Sequence, residues 1–347
     1  MPLNVALLFG GRSPEHEVSI RSANTIYGAL RQTGAEVHCI GIDREGVWHY
    51  QQVMGAFPAS VDTGAPEVTV KLGLPVLAYT PSGSDTETEL RPDVLFPALH
   101  GPWGEDGTIQ GLAAMCDLPC AGSATLGSAI AMDKDVTKRL LRDAGIPVAP
   151  WIACRDAMPA WQDVTAALGA VVFVKPAASG SSVGVRRVTD AKAYAEAFDE
   201  ARKYGAKVLL ETEIRGREIE CAILETTEGL KASIPGEIIP TGGHCFYDYD
   251  AKYTDDDGAK LVVPADLPPT VAERVQELSR QAFVCLELRT LARIDFFVTA
   301  QGEVILNEVN TLPGFTSISM YPRMFAATGY PLDKLVAAIL EHTLVAG

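Results

Sequence analysis

Glu308 and Asn310 stand two residues apart at the end of an apolar run, Val304-Ile305-Leu306. Residues two apart in a strand point to the same face. The spacing therefore sets a carboxylate and an amide oxygen side by side at a strand's C-terminal end. A second strand-like run lies upstream, Ala292-Arg293-Ile294-Asp295-Phe296-Phe297-Val298, and places a guanidinium and a carboxylate among apolar neighbours. Only Thr299-Ala300-Gln301-Gly302-Glu303 separates the two runs, so they are expected to pair as a hairpin. Asp295, Glu308 and Asn310 would then converge. Oxygen-only donors suit a hard cation such as Mg²⁺, which binds through one or two carboxylates together with substrate phosphates. The chemistry implied is the handling of a nucleotide triphosphate.

Other residues fit that chemistry, each with a plainer alternative. Lys175 ends an apolar strand and precedes Pro176-Ala177-Ala178-Ser179-Gly180-Ser181-Ser182-Val183-Gly184. A small-residue loop after a strand can wrap phosphate oxygens with backbone N–H groups. It can equally be an ordinary turn. The Walker pattern Gly-x-x-x-x-Gly-Lys-[Ser/Thr] is absent. Lys134 at a helix start reads, alone, as a solvated lysine. Glu211 and Glu218 flank a turn and are either surface charge or acceptors for an adenine amino group and ribose hydroxyls. The stretch His100-Gly101-Pro102-Trp103-Gly104-Glu105-Asp106-Gly107 is dense in glycine and acid, and Asp106 or Thr108 is expected to cap the next helix. Gly10-Gly11 does not extend to a dinucleotide fingerprint. Glu15 suits a helix's first turn, either as a dipole-compensating acid or as a holder of an amino group at the strand edge.

The elements that must position these groups alternate as strand and helix, an α/β pattern. Asn4 to Phe9 reads as a strand, Glu15 to Arg31 as a helix and Val37 to Ile42 as a strand, which makes a βαβ opening. Residues 43–91 look looser, and Val94 to Leu99 is another apolar strand. A second unit starts near Ser123. Its helix runs from Asp133 to Ala144 and stops at Gly145 and Pro147. Strands at Val171 to Lys175 and Val208 to Glu211 enclose a helix from Ala191 to Tyr204. A third unit, from near Arg215, holds a strand from Glu218 to Leu224, a polar loop from Thr241 to Lys260, a helix from Thr270 to Glu287 and the hairpin.

The chain has 347 residues, more than one typical domain. Its net charge is −15, from 44 acidic against 29 basic residues, which argues against a nucleic-acid or anionic-membrane partner. No run approaches the roughly 18 uninterrupted apolar residues of a membrane span. The first residues read as a core strand rather than a signal peptide. Seven scattered cysteines without a Cys-x-x-Cys pair fit reduced thiols in a cytoplasm.

Taken together, Phe9-Gly10-Gly11 with Glu15-His16-Glu17-Val18-Ser19, His100-Gly101 with Gly104-Glu105-Asp106-Gly107, Gly180-Ser181-Ser182-Val183-Gly184, Asn307-Glu308-Val309-Asn310-Thr311 and Met320-Tyr321-Pro322 resemble the ATP-grasp fold, and within it the D-alanine–D-alanine ligase family. The resemblance runs through nearly the whole chain. It implies a three-domain α/β ATP-grasp fold with a Rossmann-like N-terminal domain (1–122), a central domain (123–214) and a C-terminal domain (215–347) with a lid loop at 242–260. It implies that ATP activates one D-alanine as an acyl phosphate and that the amine of a second attacks it, for peptidoglycan precursor synthesis. Relatives that join D-alanine to D-lactate or D-serine are the alternative. A cytoplasmic homodimer is expected.

Roles follow from the resemblance position by position. Glu15 would bind the ammonium of the first D-alanine, in a hydrogen-bond chain with Ser181 and Tyr253, and His100 would sit near that substrate. Lys134, Lys175 and Ser181 would contact the nucleotide phosphates. Glu211, Glu218 and the backbone near Thr212 and Ile214 would meet adenine and ribose. Asp295, Glu308 and Asn310 would hold two Mg²⁺ ions, with Mn²⁺ an acceptable substitute. Arg293 and the Gly314 N–H would stabilise the oxyanion. Lys252 and Ser319 would hold the carboxylate of the second D-alanine. Thr212 departs from members that carry a lysine there.

Overall fold

Val5 to Gly10 are buried at every position. A strand covered on both faces reads as a continuous apolar run, as in a parallel sheet flanked by helices. The computed structural model describes residues 2–241 and 258–346. In it, β1 (Asn4–Gly10) is followed by α1 (His16–Gln32) and β2 (Glu36–Ile42), with β1 and β2 parallel. Helix α1 buries Ser19, Ile20, Ser22, Ala23, Ile26, Ala29 and Leu30, the stripe expected of one face of a helix. β3 (Trp48–Gln51) returns antiparallel on β2.

The segment that looked loose in sequence carries more strand than expected. β4 (Val68–Lys71), β5 (Val76–Tyr79) and β6 (Thr88–Leu90) form a small antiparallel meander. These strands are too short to show a readable alternation. β7 (Val94–Pro97) then pairs parallel with β1, giving the sheet order β3-β2-β1-β7. α2 (Thr108–Met115) and α3 (Thr125–Met132) follow.

α4 (Lys134–Asp143) is capped by Asp133, whose Oδ1 accepts from the N–H groups of Asp135 at 3.1 Å and Val136 at 3.2 Å. Gly145, at φ 74°, ends it in the left-handed conformation that glycine tolerates best. β8 (Trp151–Cys154), α5 (Trp161–Leu168), β9 (Val172–Pro176), β10 (Arg186–Val188), α6 (Ala191–Arg202) and β11 (Val208–Thr212) complete the second unit. Its sheet runs β10-β9-β11-β8, antiparallel throughout. Val172, Val174, Val208 and Leu210 pack on Val164, Leu168, Tyr194 and Phe198 of the two helices.

The third sheet holds β12 (Arg217–Thr226), β13 (Gly229–Ala232), β14 (Gly236–Pro240), β15 (Ala259–Val262), β16 (Leu291–Val298) and β17 (Val304–Asn310). Its order is β15-β14-β12-β16-β17, with β13 also on β12. β12 sorts its residues by parity, as a strand must. Ile219, Cys221 and Ile223 pack with Val275, Leu278 and Ala282 of the helix Pro269–Cys285. Ala222 and Leu224 join Tyr321 and Phe325 of the helix Met320–Ala327. That second cluster continues into Leu335, Val336 and Ile339 of the terminal helix Leu332–Ala346 and on to Val5, Leu7 and Phe9 of β1. The N-terminal sheet and the C-terminal helices therefore share one core. Among the described residues no helix is long and apolar enough to cross a membrane, and the six described cysteines are unpaired.

Candidate active site

The expected hairpin forms. β16 and β17 pair antiparallel with Asp295 opposite Glu308 and Arg293 opposite Asn310, and the register shifts just after Asp295. Arg293 donates from Nε to Asp295 Oδ1 at 2.8 Å and from Nη2 to Oδ2 at 2.7 Å. Its Nε also stands 3.1 Å from Glu220 Oε2, on the neighbouring strand β12. Asn310 Nδ2 donates to Asp295 Oδ2 at 3.0 Å. Burial alone would lower the Arg293 pKa, but the Asp295 and Glu220 carboxylates raise it well above its ordinary value, so it stays charged. Among the described residues no group of three or more His, Cys, Asp or Glu side chains is placed to hold a metal. The donor set here is two carboxylates and one amide, which suits a hard cation that keeps further oxygen ligands for substrate and water.

This hairpin end opens on a cleft of about 600 Å³. Glu15, His100 and Glu105 line it from the N-terminal sheet, Lys134, Lys175 and Glu211 from the second unit, and Arg293, Asp295, Glu308, Asn310 and Gly314 from the third. Lys134 Nζ donates to the Ser179 carbonyl at 2.8 Å and stands 3.6 Å from Glu308 Oε2, bridging the glycine-serine loop to the hairpin. In that loop Ser181 and Ser182 take positive φ of 50° and 58°, uncommon for non-glycine residues. Val183 N–H reaches the Gly180 carbonyl at 3.1 Å and Val185 N–H the Ser182 carbonyl at 3.2 Å, so the loop is a run of tight turns. Ser181 Oγ donates to the Glu15 carboxylate. A Cβ at Gly180 would lie 3.0 Å from Glu15 Oε2, and one at Gly101 2.8 Å from the same atom. Glycine at both positions lets three loops converge on one carboxylate.

Glu15 occupies the N-cap position of α1, one residue ahead of the expected first turn. The loop at residues 100–107 differs from its expected capping role. Asp106 accepts from Thr108 N–H at 3.0 Å and Trp103 N–H at 2.9 Å, while Gly107 stands at the N-cap of α2. Glu105 reaches deeper. Its Oε2 accepts from Gly101 N–H at 2.8 Å and its Oε1 from Leu312 N–H at 3.1 Å. Desolvation, and next the Glu15 carboxylate, push its pKa up to about 8. His100 Nδ1 donates to the Leu312 carbonyl at 2.9 Å and Nε2 lies 3.0 Å from Ser22 Oγ. Ser22 Oγ also accepts from Phe315 N–H at 3.2 Å, and with Nδ1 donating to the carbonyl a neutral imidazole takes the Ser22 hydroxyl proton at Nε2. Burial, the largest influence, lowers the His100 pKa in agreement.

Two family models match the chain. The D-ala D-ala ligase N-terminus model covers residues 4–123 and the D-ala D-ala ligase C-terminus model covers residues 140–341. This chain belongs to the D-alanine–D-alanine ligase family. It is 57% identical to D-alanine–D-alanine ligase A of Pseudomonas putida, over 98% of this chain and 96% of that one. It is 42% identical to D-alanine–D-alanine ligase A of Escherichia coli, over 99% and 96%. Among solved structures, the D-alanine–D-alanine ligase of Coxiella burnetii superposes with a TM-score of 0.84 at 33% identity, over 99% of this chain and 94% of that one. The VanG D-Ala:D-Ser ligase of Enterococcus faecalis gives 0.87 at 30% identity, over 99% and 100%. The fold is the ATP-grasp fold of this family.

Most of the positions expected of a ligase meet in the cleft. Ile214, Glu218 and Thr212 also line it, with the Thr212 hydroxyl donating to the Leu168 carbonyl at 3.0 Å. Ser319 lines it beside Gly314, its Oγ 2.9 Å from Thr316 N and 2.8 Å from Thr316 Oγ1. Lys252 and Tyr253, and most of the expected lid at 242–260, lie outside the described residues. Glu211 differs from a surface acid. It is 5% exposed, with Oε2 2.5 Å from Lys175 Nζ and Oε1 3.0 Å from Lys138 Nζ. Sequence reasoning assigned no role to Lys138, Glu105, Glu220 or Ser22. The first stands four residues after Lys134, a helical spacing that could have flagged it. The others are recognised only once strands and loops are assembled.

Proposed function

We propose that the cleft performs the family's reaction with the roles that follow. The protein is an ATP-dependent ligase that joins two D-alanines into the dipeptide used for peptidoglycan precursors. A carboxylate oxygen of the first D-alanine attacks the γ-phosphorus, and ADP leaves. The amine of the second attacks the acyl carbon and loses a proton, and phosphate departs as the peptide bond is completed. Such chemistry asks chiefly for positioning and charge neutralisation.

In this reading Glu15, oriented by Ser181, takes the first ammonium. Lys134 and Lys175 face the nucleotide phosphates, and Glu218 with the backbone at Thr212 and Ile214 faces the nucleoside. Glu211 contributes through its two lysines as well as directly. Asp295, Glu308 and Asn310 would hold two Mg²⁺ ions, which supply charge neutralisation at the phosphates. Arg293 and the Gly314 N–H serve the oxyanion, and Ser319 the second carboxylate. Lys252 and Tyr253 complete the set on sequence grounds. A cytoplasmic homodimer with units at 1–122, 123–214 and 215–347 belongs to the same reading.

One observation supports it above the rest. Arg293 grips Asp295 with two hydrogen bonds while Glu308 and Asn310 stand across the hairpin, on a cleft that also holds Lys134 and Lys175. The names of the relatives favour D-alanine as the acceptor. Phosphate release with ATP and Mg²⁺ in the presence of D-alanine, D-serine or D-lactate tests the whole. Strong release with D-alanine alone is expected. Ester formation with D-lactate at neutral pH as the preferred outcome would overturn the acceptor.

A further inference from the structure

Lys138 is 1% exposed, among the largest side chains that the fold buries completely. It shares a helix face with Lys134, yet only Lys134 lines the cleft. Its Nζ lies 3.0 Å from Glu211 Oε1, donates to the Ala149 carbonyl at 3.3 Å and stands 5.8 Å from the Trp151 ring centroid. Lys175 holds the other Glu211 oxygen. One carboxylate thus sits between two ammonium groups, and the three side chains are 1%, 6% and 9% exposed.

Charge counting gives the consequence. Lys175 and Glu211 alone would be a neutral pair, and that wall of the cleft would attract a phosphate weakly. With a protonated Lys138 behind it the trio carries one net positive charge. Of the two lysines only Lys175 lines the cleft. Burial lowers the Lys138 pKa, and the Glu211 carboxylate 3.0 Å away is the group that favours its charged form. Ala149, which accepts from Lys138, is itself part of the cleft wall.

We propose that Lys138 is a positioning residue for the nucleotide: it pins Glu211 from behind and, by supplying the second positive charge, leaves Lys175 a cation that the cleft presents to a phosphate. This rests on reading the cleft as the ATP site. It adds a residue that touches no substrate and acts through Glu211.

The test is a double-mutant cycle in the full-length protein, read by titration calorimetry with ADP and Mg²⁺. Lys138→Met is expected to weaken ADP binding about tenfold and to leave the Michaelis constant for D-alanine unchanged. In a Glu211→Gln background the same change should cost much less, because the carboxylate that would neutralise Lys175 is gone and Lys175 stays a cation with or without Lys138. An equal loss in both backgrounds means that Lys138 acts by packing, and overturns the proposal. Unchanged ADP affinity in Lys138→Met does the same. If Lys138→Met does not fold, the double variant is compared with Glu211→Gln alone. A nearly unchanged affinity then supports the proposal, and a loss of about tenfold in the double variant defeats it. Wild-type protein that binds no ADP would defeat the nucleotide reading itself, and the proposal with it.

Discussion

His100 Nδ1 donates to the Leu312 carbonyl at 2.9 Å, joining residues 212 positions apart. The same histidine meets Ser22, which accepts from Phe315 N–H, so both ends of the segment 312–315 are tied to the N-terminal sheet and its helix. Gly314, the expected oxyanion donor, lies inside the tied segment.

Ser22→Ala removes the hydroxyl that serves two of these bonds. A loss of about 1–2 kcal/mol in stability is expected from the groups left unpaired. A fall of about tenfold in kcat is expected from a misplaced Gly314 N–H. Steady-state kinetics and chemical denaturation check the two. Full turnover with reduced stability would show that the tie serves folding alone.

Arg293→Lys keeps the charge but cannot match both Asp295 oxygens while facing Glu220. A drop in kcat on the order of a hundredfold or more is expected, in line with removal of an oxyanion donor. The Michaelis constant for D-alanine should move far less. A variant with kcat near wild type would remove Arg293 from the chemistry.

Glu308→Gln should abolish most activity even in saturating Mg²⁺, by taking one carboxylate from the cation site. Glu308 is one-quarter exposed, so the melting temperature should hold. A Mg²⁺ titration of the variant decides: recovery of normal turnover at high metal would leave Glu308 with a weaker role than assigned.

Glu105 carries a pH signature. Its ordinary carboxyl value is 4.5, and desolvation followed by the Glu15 carboxylate raises it to about 8. Between those values the folded chain binds a proton that the unfolded chain has released. The stability contributed by the neutral carboxyl is full below 4.5 and is lost as pH rises through about 8. Melting curves across that window should show wild type losing ground to Glu105→Gln as pH increases. Parallel curves would place the carboxyl in its ordinary range.

Gly10→Ala probes the turn that carries Glu15. Gly10 has φ 87°, and a Cβ there would lie 2.3 Å from the Ile42 carbonyl. Strain and overlap together are expected to cost about 2–4 kcal/mol. Thermal unfolding near wild type would mean that the loop re-forms without that approach.

The parts of the site readable in sequence are those built from neighbours in the chain. Asp295, Glu308 and Asn310 followed from a two-residue period and a short connection, and the structure pairs them as that period demands. The βαβ opening followed from an apolar run and an amphipathic stripe. Glu211 was ambiguous because its partners come from α4 and β9, and no local pattern announces a carboxylate between two lysines. The bonds of His100 and Glu105 to Leu312 span more than two hundred residues. Residues 43–91 hid their strands because runs of three or four residues carry no period to detect.

The ties from Ser22, His100 and Glu105 to residues 312–315 also bear on how such proteins can be recombined. The first and last parts of the chain jointly fold around one another's loops, so neither is an interchangeable cassette. A chimera that takes its opening segment from a relative inherits a working cleft only if those three side chains arrive matched to the 312–315 backbone. Shuffling at the apparent unit boundaries would otherwise yield proteins that fold yet cannot hold Gly314 in place.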